Sequence, residues 1–585
     1  MSKGLALGRG VAFACVAGVL VFVVAMLAGQ AETETRAVFY IGALAGVLAG
    51  LIPPSHRRVE AGGALAVGSL ALVAGVATGF GWLEYSMIIG SALAAAFMII
   101  GVKQPPDPWL WFRWGGVVAM ILVIVLLPLI LDGGPLGHDE SAYAVKARSW
   151  LEGTPATGWL LHRGIGMSVY GYVILALGGS EAGLRSLGLI ATAGLAVAVW
   201  ALGRRMANPR VAAMASLAVV AGPALLRRST EFLSDIPSAA LLVGCMVVVW
   251  KELGEREAAS YRLLWALPFA WTAFYLRYQS ALALALMAAV VLILWWPKLR
   301  RSPGPVIALC AIGLVGLVPH MTHAVNLTGR PWGILSRTGG GAVRSFIGEG
   351  LVDYAGLIGW SLGGFVGPIV IVVGFAGLVR WWRQKVIREQ LLFLLVPAFA
   401  QVLALGLISH GEARFIFFPL ALIVVAGAFS LDHWMSLDRW TAGSDSRFPV
   451  AIAAGIAVLV AGSLALSVVA ARDSVRNRSS LNVAVENAGY ELREEAGETT
   501  CGVMTTYAPQ ITFYSGCATD IFRPEIDEAD AIDLLDGETT FMVLIENGKR
   551  QPTGDALAAL LELTVGPPVV VEGPRRQATV YTFAE

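Results

Sequence analysis

The stretch GGVVAMILVIVLLPLILDGG at residues 115–134 is followed, after two residues, by GHDESAYAVKARSWLEG at 137–153. The first is long and apolar enough to cross a bilayer. The second places His138, Asp139 and Glu140 side by side at its exit. A single acid there reads as a solvated cap, because negative charge is favourable at a helix N-terminus. This segment holds more: Tyr143, Lys146 and Arg148 crowd the same turns. Ionisable groups gathered at the edge of a membrane are costly unless they pair or bind a ligand, so the segment is a candidate site.

The rest of the chain agrees with a polytopic membrane protein. Of 585 residues, 57% are hydrophobic and 14% charged, and the mean hydropathy is +0.70. A soluble globule carries about 25% charged residues. The 42 basic and 41 acidic side chains leave a net charge of +1, which gives no bulk attraction for nucleic acid. Cys15, Cys245 and Cys310 lie in apolar runs, where a thiol packs as a small apolar group. Cys501 and Cys517 sit in a polar C-terminal segment. They suit a disulfide in an oxidising compartment and two free thiols elsewhere.

Apolar runs predict about fifteen spans, with 13–15 as the range. They lie near 11–29, 37–53, 61–83, 86–101, 115–132, 182–202, 210–226, 236–250, 262–276, 279–296, 304–322, 357–379, 390–408, 414–431 and 448–471. The pair covering 262–296 also reads as one bent unit. Basic loops such as SHRRVE, GRRMANPR, PKLRRSP and RWWRQKVIRE then fall on one side with Lys3 and Arg9, which the positive-inside rule makes cytoplasmic. Parity closes if GIGMSVYGYVILALGG at 164–179 lies along the outer surface. The expected divisions are a four-span module at 1–114, a catalytic membrane domain at 115–471 with an outer loop at 133–181, and a soluble tail at 472–585. In the tail, TTFMVLIE, PPVVVEG and ATVYTF read as strands, and 478–496 and 553–562 as helices. The expected fold is therefore an α-helical polytopic membrane protein with a small extracytoplasmic α/β domain.

With this topology the outer segments hold the unusual polar residues. They are RRSTEFLSD at 227–235, LRYQ at 276–279, the long loop from His320 to Gly341, and SHGEARF at 409–415. Arg227 and Arg228 oppose the positive-inside trend, and with Arg277, Arg330 and Arg414 they suit phosphate, which a guanidinium grips with two hydrogen bonds at once. Headgroup snorkelling is the competing explanation for each. Asp235 reads equally as a contact to sugar hydroxyls or to an arginine, or as part of a helix start before Pro237. His320, His323 and His410 come from separate loops with no carboxylate spacing typical of a metal site. GWSLG at 359–363 matches GxSxG, but it opens a membrane helix rather than a strand-to-helix elbow.

GHDESAYAVKARSWLEG resembles the first outer-loop motif of the GT-C superfamily of polyprenyl-phosphate-sugar-dependent glycosyltransferases. HGEARFIFFPLALIV at 410–424 resembles the His-x-Glu-x-Arg-Phe motif of GPI and related mannosyltransferases. More loosely, it is similar to the protein O-mannosyltransferase and aminoarabinose-transferase group, in the manner of glycosyltransferase family 39. The series EAGLRSLGLIATAGLAVAVWALGRRM (181–206), STEFLSDIPSAALLV (229–243) and TTYAPQITFYSGC (505–517) is similar in style. The likeness covers residues 115 to 585. No WWD block is present, which disfavours en bloc glycan transfer.

The resemblance implies a GT-C fold and transfer of a sugar from a polyprenyl-phosphate donor to an acceptor hydroxyl, with inversion. It places Asp139 as catalytic base and Glu140 as second acid or orienter. Arg414 and Arg277, then Arg227, Arg228 and Arg330, are the phosphate candidates. His138, Tyr143, Asp235, His410 and Glu412 complete the donor site. The expected partners are the lipid-linked donor, a protein, glycan or lipid acceptor, and membrane lipids, but no nucleic acid. No organic cofactor is expected, and a divalent metal stays open. The expected location is the inner membrane of a prokaryote, with the N-terminus cytoplasmic. A transporter or flippase is the rival, and it predicts charges near span centres and related halves. A glycan polymerase or ligase would share the outer-face chemistry but not these motifs.

Overall fold

The computed structural model describes residues 126–583, apart from 128, 132, 339–345, 362–365, 436–446, 498–500, 523–538 and 549. The four-span module at 1–114 and most of the fifth expected span lie outside the described residues. Among those described, six helices are long and apolar enough to cross a membrane, or seven if a bent pair counts as one.

Helix α1 (His138–Glu152) follows the apolar run and ends at Gly153, whose φ of 74° is the left-handed conformation that favours glycine. Helix α2 (Ile165–Ala176) has 12 residues, about 18 Å at 1.5 Å per residue, too short for a hydrocarbon core of about 30 Å. It leaves Val169, Tyr172, Val173 and Leu177 exposed. Helix α3 (Glu181–Met206) carries Glu181 in its first turn and Arg204 and Arg205 in its last, an order that complements the helix dipole.

The span expected at 210–226 is broken. Helices α4 (Pro209–Val220) and α5 (Pro223–Ser229) meet at 69°, because Pro223 lacks an N–H and cannot continue a helix. The break directs Arg227 to Asp235 across the end of the bundle. Helix α6 (Asp235–Val249) then returns through it. The 262–296 region is two helices, α7 (Ala266–Leu276) and α8 (Ser280–Arg301), with Arg277 extended between them.

Helices α9 (Pro303–Val315) and α10 (Val318–Thr328) form a peripheral span of which only 6% is buried in protein. In place of one span at 357–379 there are α11 (Glu349–Ser361) and α12 (Val366–Arg380). Helix α13 (Lys385–Ile408) leads to α14 (Phe417–Met435). The span that contains α14 is 89% buried, so it is the centre of the bundle. There Phe417, Leu420, Val424 and Phe429 pack in one core with α3, α4, α6 and α13.

Helix α15 (Arg447–Ala496) runs for 50 residues without a break, through the last expected span and past residue 472 into the tail. Among the described residues the tail has five strands: β1 (Gly502–Met504), β2 (Ala518–Asp520), β3 (Thr539–Ile545), β4 (Thr564–Glu572) and β5 (Gln577–Phe583), in the order β2-β1-β3-β5-β4. β1 pairs in parallel with β2 and β3, and β5 lies antiparallel between β3 and β4. Helix α16 (Ala508–Ser515) connects β1 to β2, and α17 (Gly554–Glu562) precedes β4. A disulfide joins Cys501 to Cys517 and closes the unit containing α16.

Candidate active site at one end of the bundle

Asp139 and Glu140 are neighbours with different surroundings. Successive residues of a helix project about 100° apart, so one enters the protein while the other faces the cleft. Glu140 is 2% exposed. Its Oε1 accepts from Arg185 Nε at 2.8 Å and from the Phe232 amide at 2.9 Å. Its Oε2 accepts from the Gly137 amide at 2.7 Å and from Arg185 Nη2 at 3.1 Å. Burial works to raise its pKa, but Arg185 and Arg478 outweigh that and hold it down at about 2. With both oxygens occupied, Glu140 anchors the loop.

Asp139 lies at the mouth of the bundle between two arginines. Arg163 Nη2 meets Oδ1 at 2.7 Å and Arg414 Nη1 meets Oδ2 at 2.6 Å. Desolvation opposes ionisation, yet the two guanidiniums prevail and hold the carboxyl well below its usual range. The Arg163 guanidinium also stacks over Tyr143, 5.0 Å from the ring centre, and the Tyr143 hydroxyl shares a hydrogen bond with Ser234 at 3.1 Å. His138 is exposed on the first turn.

The connection from α13 to α14 supplies the second wall. Arg414 pairs through Nε and Nη2 with Glu412, and Glu412 meets His410 at 3.0 Å. Burial acts to raise the Glu412 pKa, but Arg414 and His410 bring it down. The break between α7 and α8 supplies Arg277, which is paired with Asp235 and donates to Gln279 at 2.6 Å. The guanidiniums of Arg277 and Arg414 stand 5.2 Å and 5.5 Å from the Phe415 ring centre. Below them a small cavity is lined by Asp235, Ser238, Arg277, Gln401, Arg414 and Phe415.

Arg228 is held by Glu231 at 2.6 Å, and Glu231 in turn by Arg478 of α15 at 2.9 Å. The structure thus gathers Asp139, Tyr143, Arg228, Asp235, Arg277, His410, Glu412 and Arg414 at one end of the bundle. Arg227 and Arg330 are exposed, and neither is ion-paired with any of these residues. His320 packs instead against Phe274 and Tyr278, at 4.9 Å and 4.6 Å between ring centres. Among the described residues, no group of three or more His, Cys, Asp or Glu side chains is arranged to hold a metal ion.

Sequence reasoning missed Arg163, Arg185 and Arg478. Arg185 had a legible signal: it interrupts an apolar run, and a charge inside a span needs a partner. Arg163 and Arg478 had none, since each is one basic residue among many near a membrane surface. The role of α16 was equally hidden. Tyr514 accepts from the Leu136 amide at 2.8 Å, Gln510 donates to the Leu136 carbonyl at 3.3 Å, and Arg148 reaches the Phe513 carbonyl. The tail therefore packs directly on the acidic loop.

The overall architecture matches known structures. ArnT from Cupriavidus metallidurans in the apo state aligns with a TM-score of 0.56 at 13% identity, covering 80% of this chain and 97% of that one. The same protein bound to undecaprenyl phosphate gives 0.56 and 13%, with 80% and 98% covered. The archaeal oligosaccharyltransferase AglB from Archaeoglobus fulgidus, in complex with an inhibitory peptide and a dolichol-phosphate, gives 0.52 and 14%, with 74% and 70% covered. The bundle therefore has the fold of these membrane glycosyltransferases. Residues 359–505, about a quarter of the chain, match the model of the Alg9-like mannosyltransferase family. No curated protein matches the chain in sequence.

Proposed function

We propose that this enzyme transfers a sugar from a polyprenyl-phosphate donor to an acceptor hydroxyl at the extracytoplasmic face, with inversion and with Asp139 as base. The observation that carries the reading is the position of Asp139, at the mouth of the bundle, one guanidinium away from the Arg277–Arg414 cavity. Two of the similar structures hold polyprenyl phosphates, undecaprenyl phosphate in ArnT and dolichol-phosphate in AglB.

In this reading the lipid chain lies among the spans and its phosphate meets Arg277 and Arg414. The acceptor oxygen attacks the anomeric carbon from the face opposite the phosphate. A new C–O bond forms as the bond from that carbon to the phosphate oxygen breaks, and its electron pair leaves with the phosphate. The attacking oxygen becomes acidic as it gains positive character, so even a weakly basic Asp139 can take its proton. Fixed guanidiniums stabilise the charge that develops on the leaving group. Glu140 and Arg185 position the loop. The tail domain, on this topology, stands on the extracytoplasmic side and covers the same face.

The test is turnover. Full-length protein in nanodiscs is given a panel of polyprenyl-phosphate sugars with candidate acceptors, and release of polyprenyl phosphate is measured. Asp139→Asn is expected to lower release by at least about a hundredfold, as loss of a general base does. Release that is insensitive to Asp139 would refute the assignment of the base. If no donor is turned over while lipid-linked sugars cross liposome membranes, the transporter replaces the enzyme.

A further inference from the structure

Arg414 has two claims on it. Its Nη1 holds Oδ2 of Asp139 at 2.6 Å, and the same side chain lines the cavity with Arg277. Glu412 occupies only its Nε and Nη2 positions. The five N–H donors of a guanidinium lie in one plane, and Glu412 takes one from Nε and one of the two on Nη2, so Nη1 and the second N–H of Nη2 can change partner while Glu412 keeps its grip. Asp139 would not be released by such a change, because Arg163 holds Oδ1 at 2.7 Å. Its two oxygens are thus bound by arginines from two different elements, one before α2 and one before α14.

An anionic phosphate diester brings two free oxygens, whereas Asp139 offers Arg414 one. Two parallel charge-assisted bonds prevail over one. Arg228 is no substitute, since Glu231 and Arg478 hold it in a chain of ion pairs.

We propose that Arg414 exchanges Asp139 for the phosphate of the lipid donor, so that arrival of the donor uncovers Oδ2 of the base. This rests on the function proposed above. Arg414 is then a positioning residue as well as a phosphate ligand. Before the donor binds, the Arg414 guanidinium stands against Oδ2 and draws on its charge, so an acceptor hydroxyl meets a crowded and weakened base. Afterwards Oδ2 is open, and Arg163 keeps the carboxylate aimed. The productive order is donor first, acceptor second.

The competition is measurable without turnover. Binding of a polyprenyl phosphate, the donor's own leaving group, is measured on the full chain in nanodiscs for wild type, Asp139→Asn, Glu412→Gln, Arg414→Ala and Asp139→Asn/Arg414→Ala. Asp139→Ser repeats the loss of charge should the Asn variant fold poorly. Removing Asp139 should tighten binding about tenfold, the equivalent of one partly exposed charge-assisted bond. Removing Glu412 should not tighten it, because Glu412 orients the guanidinium. In the Arg414→Ala background the gain from Asp139→Asn should vanish. Unchanged or weaker binding in both Asp139 variants overturns the proposal. So does a gain of equal size without Arg414, or in Glu412→Gln, since either result is simple charge repulsion. Failure of the wild type and every variant to bind polyprenyl phosphate would instead remove the proposed function itself.

Discussion

Adjacent acids in a sequence are indistinguishable until the fold turns one of them inward. Asp139 and Glu140 read alike on paper, yet Glu140 is sealed against Arg185, which is itself 1% exposed. Removing one partner of such a pair leaves a buried charge without compensation. Arg185→Met should therefore lower stability by about 3–5 kcal/mol, seen as a fall in the unfolding midpoint in detergent. A loss below about 1 kcal/mol would show that the pair behaves like a surface bridge. The same pair fixes a pH dependence. Glu140 has a folded pKa of about 2 against an ordinary value of 4.5. A depressed acid contributes stability above its unfolded pKa and loses it as pH falls through the folded one. Its contribution is thus complete above pH 4.5 and disappears toward pH 2. Glu140→Gln should flatten that acid limb, and an unaltered limb would show that other groups set it.

At the scale of elements, the long apolar helices were legible and the contacts between them were not. Hydropathy finds α3, α8 and α13 because each is a continuous apolar run of span length, but it passes over a break such as Gly222-Pro223, whose two residues barely lower a window average. It also misses β1 and β2, three residues each. Such short strands carry too few residues to show alternation. Arg163 owes its position to another invisible contact. The residue after it, Gly164, lies so close to the end of α7 that a Cβ would stand 2.3 Å from the Leu276 carbonyl oxygen. Gly164→Val must push the segment away and take Arg163 off Asp139. Transfer should fall more than tenfold with polyprenyl-phosphate binding little changed, a separation that activity and binding assays on one preparation would resolve. Equal losses in both would mean the substitution disturbs the bundle rather than the loop. The disulfide acts on the same loop from the other side. Cys501 and Cys517 are 16 residues apart and enclose α16, and a link of that length contributes about 3 kcal/mol. Cys501→Ser/Cys517→Ser should lower the tail's unfolding midpoint and slow transfer, while the membrane bundle keeps its own midpoint.

Across the whole molecule, one helix joins the two regions. At 1.5 Å per residue α15 extends about 75 Å, and its far half carries side chains that meet both the bundle and the tail. Arg478 reaches Glu231 and the Thr230 carbonyl near the site, Asn482 accepts from Gln510 of α16, and Asn487 reaches the carbonyl of Glu572 on β4. Composition reported the tail as a separate soluble unit because charged residues become frequent there. It could not report the docking, which depends on pairs hundreds of residues apart. One group in that contact is placed unfavourably. Glu486 is half-buried, and burial together with Glu181 at the start of α3 pushes its pKa up to about 7, with Arg185 opposing the rise. A raised acid binds more protons folded than unfolded between 4.5 and about 7. Stability must then decline as pH rises through that interval, the opposite sign to Glu140. Docking of the tail should therefore weaken from pH 5 to pH 8, read as increasing hydrogen exchange in α16 while the amides of α14 stay protected. Glu486→Gln should hold α16 equally protected at both values. If α16 exchange has the same pH dependence in wild type and variant once intrinsic rates are corrected, Glu486 does not govern the contact. If α16 and α14 open together at every pH, the tail and bundle are a single cooperative unit.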